Sequence, residues 1–127
     1  ATLITKVIYI KDSERKKFII LDAAMNDLMR PALYGAEHKT LPVNKSNKIS
    51  KKTYEFVGPI CESTDTFLKY KNFSFLNEND LVAITNVGAY GSTLSSNYNT
   101  RPLVSEIIVK KGKIKIIRKR QNISEII

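Results

Sequence analysis

Cysteine occurs once in these 127 residues, and histidine once. A single thiol excludes an internal disulfide, and one thiol with one imidazole is too little for a Cys/His metal centre. No apolar run approaches the ~18 residues of a membrane-spanning helix. The opening, ATLITKVIYIKD, lacks the basic, then apolar, then small-residue order of a secretory leader, because Lys6 interrupts it. With no disulfide, span or leader in view, the expected compartment is the cytoplasm. Acidic residues are scarce as well: 12 Asp and Glu stand against 21 Lys and Arg, a net charge of +9. That balance allows binding to nucleic acid or an acidic surface without requiring it. What is present is enough apolar material for one core, 43% of the chain. A chain of this size buries roughly two-thirds of its unfolded surface, and one β domain over residues 1–127 is expected.

Residues 3–10, LITKVIYI, are dense in β-branched and aromatic types. After the charged turn KDSERKK comes FIILD, 18–22, and the two read as a hairpin. In 22–31, DAAMNDLMRP, the spacing of Met25, Leu28 and Met29 predicts a short helix, capped by Asp22 and ended by Pro31. The lysine-rich segment 39–52 reads as a solvated loop or the flanks of an edge strand. TYEFVGP, 53–59, alternates as a strand; 66–80 is mixed and reads as irregular; LVAITNVG, 81–88, reads as a buried strand. The Gly-, Ser- and Asn-rich stretch 89–102 is a loop or a broken strand. Residues 103–120 form two alternating strands around Lys111-Gly112, a hairpin turn with glycine where left-handed backbone is needed. NISEII, 122–127, could begin a helix. Many short strands and little helix predict an all-β sandwich or barrel.

Four stretches carry candidate chemistry. In GPICES, 58–63, the lone Cys61 fits either a small buried hydrophobe or an acid–base thiol. The neighbouring carboxylate Glu62 disfavours thiolate, so a thiol that gives up its proton fits better than a standing nucleophile. In RPALYGAEH, 30–38, Arg30 and Tyr34 could hold a carboxylate, or be a surface arginine and a core tyrosine; His38 reads as a structural hydrogen-bonder. In GAYG, 88–91, two glycines around Tyr90 permit close approach of a ligand, or simply a turn. The tail KKGKIKIIRKR, 110–120, puts isoleucines on one face and cations on the other. It reads as a solvated sheet face or as a phosphate-backbone footprint, and no aromatic interleaves it to stack on bases.

Taken in order, LDAAMNDLMRPALYGAEH, VGPICES, GAYGSTLSSNYNTRP and SEIIV closely resemble the carboxy-terminal part of the diaminopimelate decarboxylases. These belong to the alanine-racemase-like group of pyridoxal phosphate decarboxylases. The resemblance runs from about Lys6 to the end, and is weakest over 39–52 and 66–79. It implies a β-sandwich or barrel domain that works beside a (β/α)8 barrel, and such a barrel needs roughly 250 residues of its own. The barrel would carry the lysine that holds the cofactor and most of the phosphate grip. By motif, Cys61 matches a proton donor to the substrate α-carbon, and Glu62 a carboxylate that reads the distal ammonium of diaminopimelate. Arg30 and Tyr34 match substrate-binding residues, and Tyr90 one that reaches both cofactor and substrate. The resemblance further implies a homodimer with the active site at the interface, a role in lysine biosynthesis, and no activity for the chain alone. Two other readings stay open at this point: a stand-alone basic β-barrel that binds nucleic acid, and a non-catalytic dimerisation domain.

Overall fold

The structure is a computed structural model that describes residues 1–127. Eight strands and one short helix follow in the order β1 (Thr2–Asp12), β2 (Lys16–Leu21), α1 (Arg30–Tyr34), β3 (Thr40–Pro42), β4 (Thr53–Val57), β5 (Thr66–Tyr70), β6 (Leu81–Thr85), β7 (Glu106–Lys110) and β8 (Lys113–Arg118). The first six make one sheet in the order β3-β6-β1-β2-β4-β5, and β7-β8 stand apart as a two-stranded hairpin. No helix is long and apolar enough to cross a membrane.

Alternation explains the sheet. β1 sends Thr5 and Val7 inward, β2 Ile19 and Leu21, β4 Tyr54 and Phe56, and β6 Val82 and Ile84. The register of β1 against β2 shifts between Val7 and Tyr9. This bulge lets one long strand pair with β6 over Thr2–Lys6 and with β2 over Val7–Asp12. The inward residues meet Leu28, Phe73 and Leu76 in one core. Its aromatic centre packs edge-on, with Phe56 and Phe73 5.1 Å apart and Tyr70 and Phe73 5.2 Å apart. The sheet curls into a half-barrel. Its two outer strands approach closely enough that the Tyr70 hydroxyl on β5 accepts the Thr40 N–H on β3 at 2.7 Å.

Two expectations need correction. Residues 22–31 are not the helix. The chain makes a turn at 25–27, and the helix begins at Arg30, with Pro31 in its first turn. Proline has no N–H to donate, so it suits the start of a helix, where those donors have no partner, as well as it suits an end. Asp22 caps nothing; its carboxylate accepts the Thr5 hydroxyl and the Lys6 N–H. The apolar spacing is real, since Met25 and Leu28 are buried, but they belong to two different clusters. The second correction concerns 66–80, whose first five residues are β5. Their partner is β4, with Tyr70 opposite Tyr54 and Lys69 opposite Glu55. Half-buried residues at an edge left little alternation to read.

The hairpin has the expected turn. Lys111 and Gly112 both have positive φ, 49° and 74°, the pair of left-handed residues that a tight two-residue turn requires. Ile107 faces Ile116 and Val109 faces Ile114 on one side, while Ile108 faces Lys115 and Lys110 faces Lys113 on the other. One face is apolar as expected; the other carries the lysines but also Ile108, and both are exposed. After the hairpin, Asn122 and Glu125 cap a single 3-10 turn reciprocally.

Candidate functional site

β2 and β4 are the one parallel pair in the sheet, Lys16 to Ile20 beside Thr53 to Val57. Parallel neighbours end at the same edge. The chain leaving β2, residues 22–29, therefore lies beside the chain leaving β4, residues 58–65. Asp65 ties them together. Its Oδ1 accepts the Met25 N–H at 2.7 Å and its Oδ2 accepts the Ile60 N–H at 2.8 Å. Asp65 is buried, and burial pushes its carboxyl above the usual range, opposed by those two backbone hydrogen bonds. Gly58 is required by the same contact, because a Cβ there would stand 2.2 Å from the Asp65 carboxylate.

This clamp presents Cys61. Ile60 packs into a small cluster with Ala24 and Met25, and Met29 and Ala32 lie against it. The next residue, Cys61, is exposed. Of the two sequence readings, the buried hydrophobe falls away. Ala32 belongs to α1, so the cluster also docks the helix that carries Arg30 and Tyr34. These are four apart and share a helical face. Tyr34 is not a core tyrosine; it is 64% exposed. The Arg30 side chain makes no hydrogen bond or ion pair within the chain, and its Nε is buried without a partner. His38 is buried and donates from Nδ1 to the Thr85 carbonyl at 3.2 Å, a structural role as expected.

A third segment closes on the same edge. The Arg101 guanidinium bonds the Asn26 side chain through Nε at 3.0 Å, donates to the Asp22 carbonyl, and lies 3.8 Å from the Asp27 carboxylate. The Ser96 N–H reaches the Asn26 carbonyl at 3.0 Å. Asp27 in turn accepts the Ala24 N–H, and burial raises its carboxyl despite that bond and the charge of Arg101. Loop 86–101 is thereby held against the turn after β2. It carries Tyr98, whose hydroxyl donates to Glu62 Oε2 at 2.7 Å. It also carries Tyr90, 68% exposed and with φ +60, a left-handed conformation unusual for an aromatic residue.

The structure thus gathers Cys61 and Glu62 with Tyr98, and docks the Arg30–Tyr34 helix on the same small cluster. Tyr90 stands exposed on its turn, and its phenol makes no hydrogen bond to the others. Sequence reasoning missed Asp65, Arg101 and Tyr98. Each reaches across the fold to a partner 36 to 79 positions away, which no local pattern signals. None of the five expected residues lines the groove of about 460 Å³ between Ala1–Ile4 and Glu106–Ile108.

Residues 1–88 match the family described as pyridoxal-dependent decarboxylase, C-terminal sheet domain. This chain belongs to that family. Among curated relatives, the sheet domain is 47% identical over 126 residues to diaminopimelate decarboxylase of Zymomonas mobilis, covering 98% of this chain and 29% of that protein. It is 44% identical over 124 residues to that of Helicobacter pylori, covering 98% and 31%. The chain therefore spans about 30% of the length of the relatives it matches. A crystal structure of Helicobacter pylori diaminopimelate decarboxylase complexed with L-lysine superposes with a TM-score of 0.86 at 44% identity, over 98% of this chain and 30% of that one. A crystal structure of an Aquifex aeolicus protein gives 0.91 at 41% identity, over 98% and 31%.

Proposed function

We propose that this chain is the sheet domain of a diaminopimelate decarboxylase, which converts meso-2,6-diaminopimelate to lysine and carbon dioxide. The observation that carries the reading is the convergence of an exposed thiol, Cys61, and its neighbour Glu62 with a docked Arg30–Tyr34 helix at one edge of the sheet. The residues lie on an open surface, which suits half of an active site whose other half is a barrel domain. In a homodimer, that barrel would belong to the other subunit.

Pyridoxal phosphate fits this surface as a partial contact. Segments 22–38, 58–65 and 86–101 contain no lysine, so this edge offers no amine to hold the cofactor covalently. The exposed Tyr90 phenol, held in left-handed backbone between Gly88 and Gly91, is the group that would reach it. When bound, the cofactor supplies the electron sink that lets carbon dioxide leave the α-carbon. The rest falls to side chains of this chain. Arg30, with no carboxylate of its own, would pair with a substrate carboxylate through its planar fork, and Tyr34 would add a phenol beside it. Glu62 would pair with the distal ammonium. Cys61 would then give its Sγ proton to the α-carbon on one face.

The direct test is turnover. Diaminopimelate should release carbon dioxide and lysine when this domain acts with its barrel, and the 127-residue chain alone should not. Absence of lysine from the barrel-containing enzyme would refute the reading. Arg30→Ala is expected to raise KM by roughly tenfold or more, the cost of one charge-assisted contact, with a smaller change in kcat. Steady-state kinetics with an unaltered KM would remove Arg30 from the substrate clamp.

A further inference from the structure

Glu62 is an anion without a cation. Six ion pairs form in the chain, and none includes it. It is nevertheless held on both oxygens by neutral donors: Tyr98 Oη donates to Oε2 at 2.7 Å, and Thr64 Oγ1 donates to Oε1 at 3.1 Å. A carboxylate has about four lone-pair sites, so two hydrogen bonds fix its plane and leave acceptor capacity for a ligand. Neutral donors do this without cancelling the charge, as a lysine in the same place would.

Tyr98 is itself fixed. It opens a kinked 3-10 turn in which Asn99 and Thr100 have positive φ, 57° and 55°. The preceding Asn97 side chain donates to the Arg101 carbonyl at 2.9 Å and to Gln121 Oε1 at 2.6 Å. The loop is pinned again at Asn26 by Ser96 and Arg101. This is more fixing than a surface tyrosine needs, and its end point is a charge turned toward solvent.

We infer that Tyr98, assisted by Thr64, is a positioning residue that aims the Glu62 carboxylate and so sets the preference for substrates with a distal ammonium. The inference rests on the reading of Glu62 given above. The nearby carboxylate also raises the Tyr98 phenol above its ordinary value of 10.0, chiefly through their hydrogen bond, so the ring stays a donor across the physiological range.

Two measurements test it. In the chain labelled with ¹³C-tyrosine, Glu62→Gln should lower the titration of the Tyr98 phenol toward its ordinary value, with Tyr98→Phe identifying the resonance. An unmoved titration would overturn the clamp. In the barrel-containing enzyme, Tyr98→Phe should raise KM for diaminopimelate by about tenfold, the loss expected for one hydrogen bond to a charged group, with kcat nearly constant. Inhibition by 2-aminopimelate, which lacks the distal amine, should be unchanged. In a Glu62→Gln background, Tyr98→Phe should add nothing further. If both ligands weaken alike, Tyr98 is a structural staple and the inference fails. If Glu62→Gln raises KM while Tyr98→Phe does not, the inference fails and the reading of Glu62 stands. If Glu62→Gln itself leaves KM unchanged, both fall.

Discussion

Replacing Cys61 by alanine in the barrel-containing enzyme should lower kcat by a hundredfold or more and leave KM nearly as it was. A positioned general acid contributes on the order of 10²–10⁴ in rate, and alanine removes the acid without changing the backbone that presents it. The thiol is exposed at the end of a turn whose anchors are Ile60 and Asp65, not Cys61 itself. Stability should therefore change by less than about 0.5 kcal/mol, as for other surface substitutions away from structural features. Single-turnover assays separating carbon dioxide release from proton delivery give the sharper form of the test. Loss of carbon dioxide should survive better than formation of correctly protonated lysine. A Cys61→Ala enzyme with the wild-type kcat would remove the thiol from the chemistry.

Asp65→Ala should be the costliest single substitution at this edge, destabilising the fold by about 2–5 kcal/mol. Two backbone donors, Met25 N–H and Ile60 N–H, would lose their acceptor at once, and a buried unsatisfied group costs about 1–3 kcal/mol. Asparagine does not rescue it fully. The carboxylate accepts through both oxygens, whereas the amide offers one acceptor and points its NH₂ at the other donor. The pH dependence gives a second handle. Because burial raises the Asp65 carboxyl above 3.8, the folded state holds that proton more tightly than the unfolded state. The contribution is fully present below the ordinary value and is lost as pH rises toward the raised one. Urea unfolding should show the wild-type advantage over Asp65→Asn shrinking between those limits. An advantage that grows with pH there would contradict the assignment. The buried Asp27 shifts in the same direction and remains in both proteins, so the difference isolates Asp65.

Much of the sheet was legible because its strands alternate. The pairs Ile19/Leu21, Tyr54/Phe56 and Val82/Ile84 mark β2, β4 and β6 directly. β5 was not legible: Phe67, Leu68 and Tyr70 are only half-buried at an edge, and what makes them a strand is the β4 ladder. The helix was misplaced for a related reason. Met25 and Leu28 have helical spacing, but their burial comes from two separate clusters joined by a turn. At the site, Cys61, Glu62, Arg30, Tyr34 and Tyr90 could be named because they sit in short motifs. The groups that hold them could not, since Asp65 works through Met25 and Tyr98 through Glu62, each across the fold.

The hairpin β7–β8 has a consequence for how the chain reaches this state. Its strands are joined by two residues, and such units form in about 1–10 μs. The main sheet must instead bring Thr2 beside Thr85 and set β4 parallel to β2 across residues 22–52. Pairings of that range put a fold at the slow end, about milliseconds to seconds. The hairpin needs only local pairing and can form and reopen many times in that interval, each time setting Ile107, Val109, Ile114 and Ile116 in a row that a second copy could cover. The lysines at 110, 111, 113 and 115 crowd its tip and opposite face. Like-charge repulsion between copies would oppose that pairing while the sheet assembles.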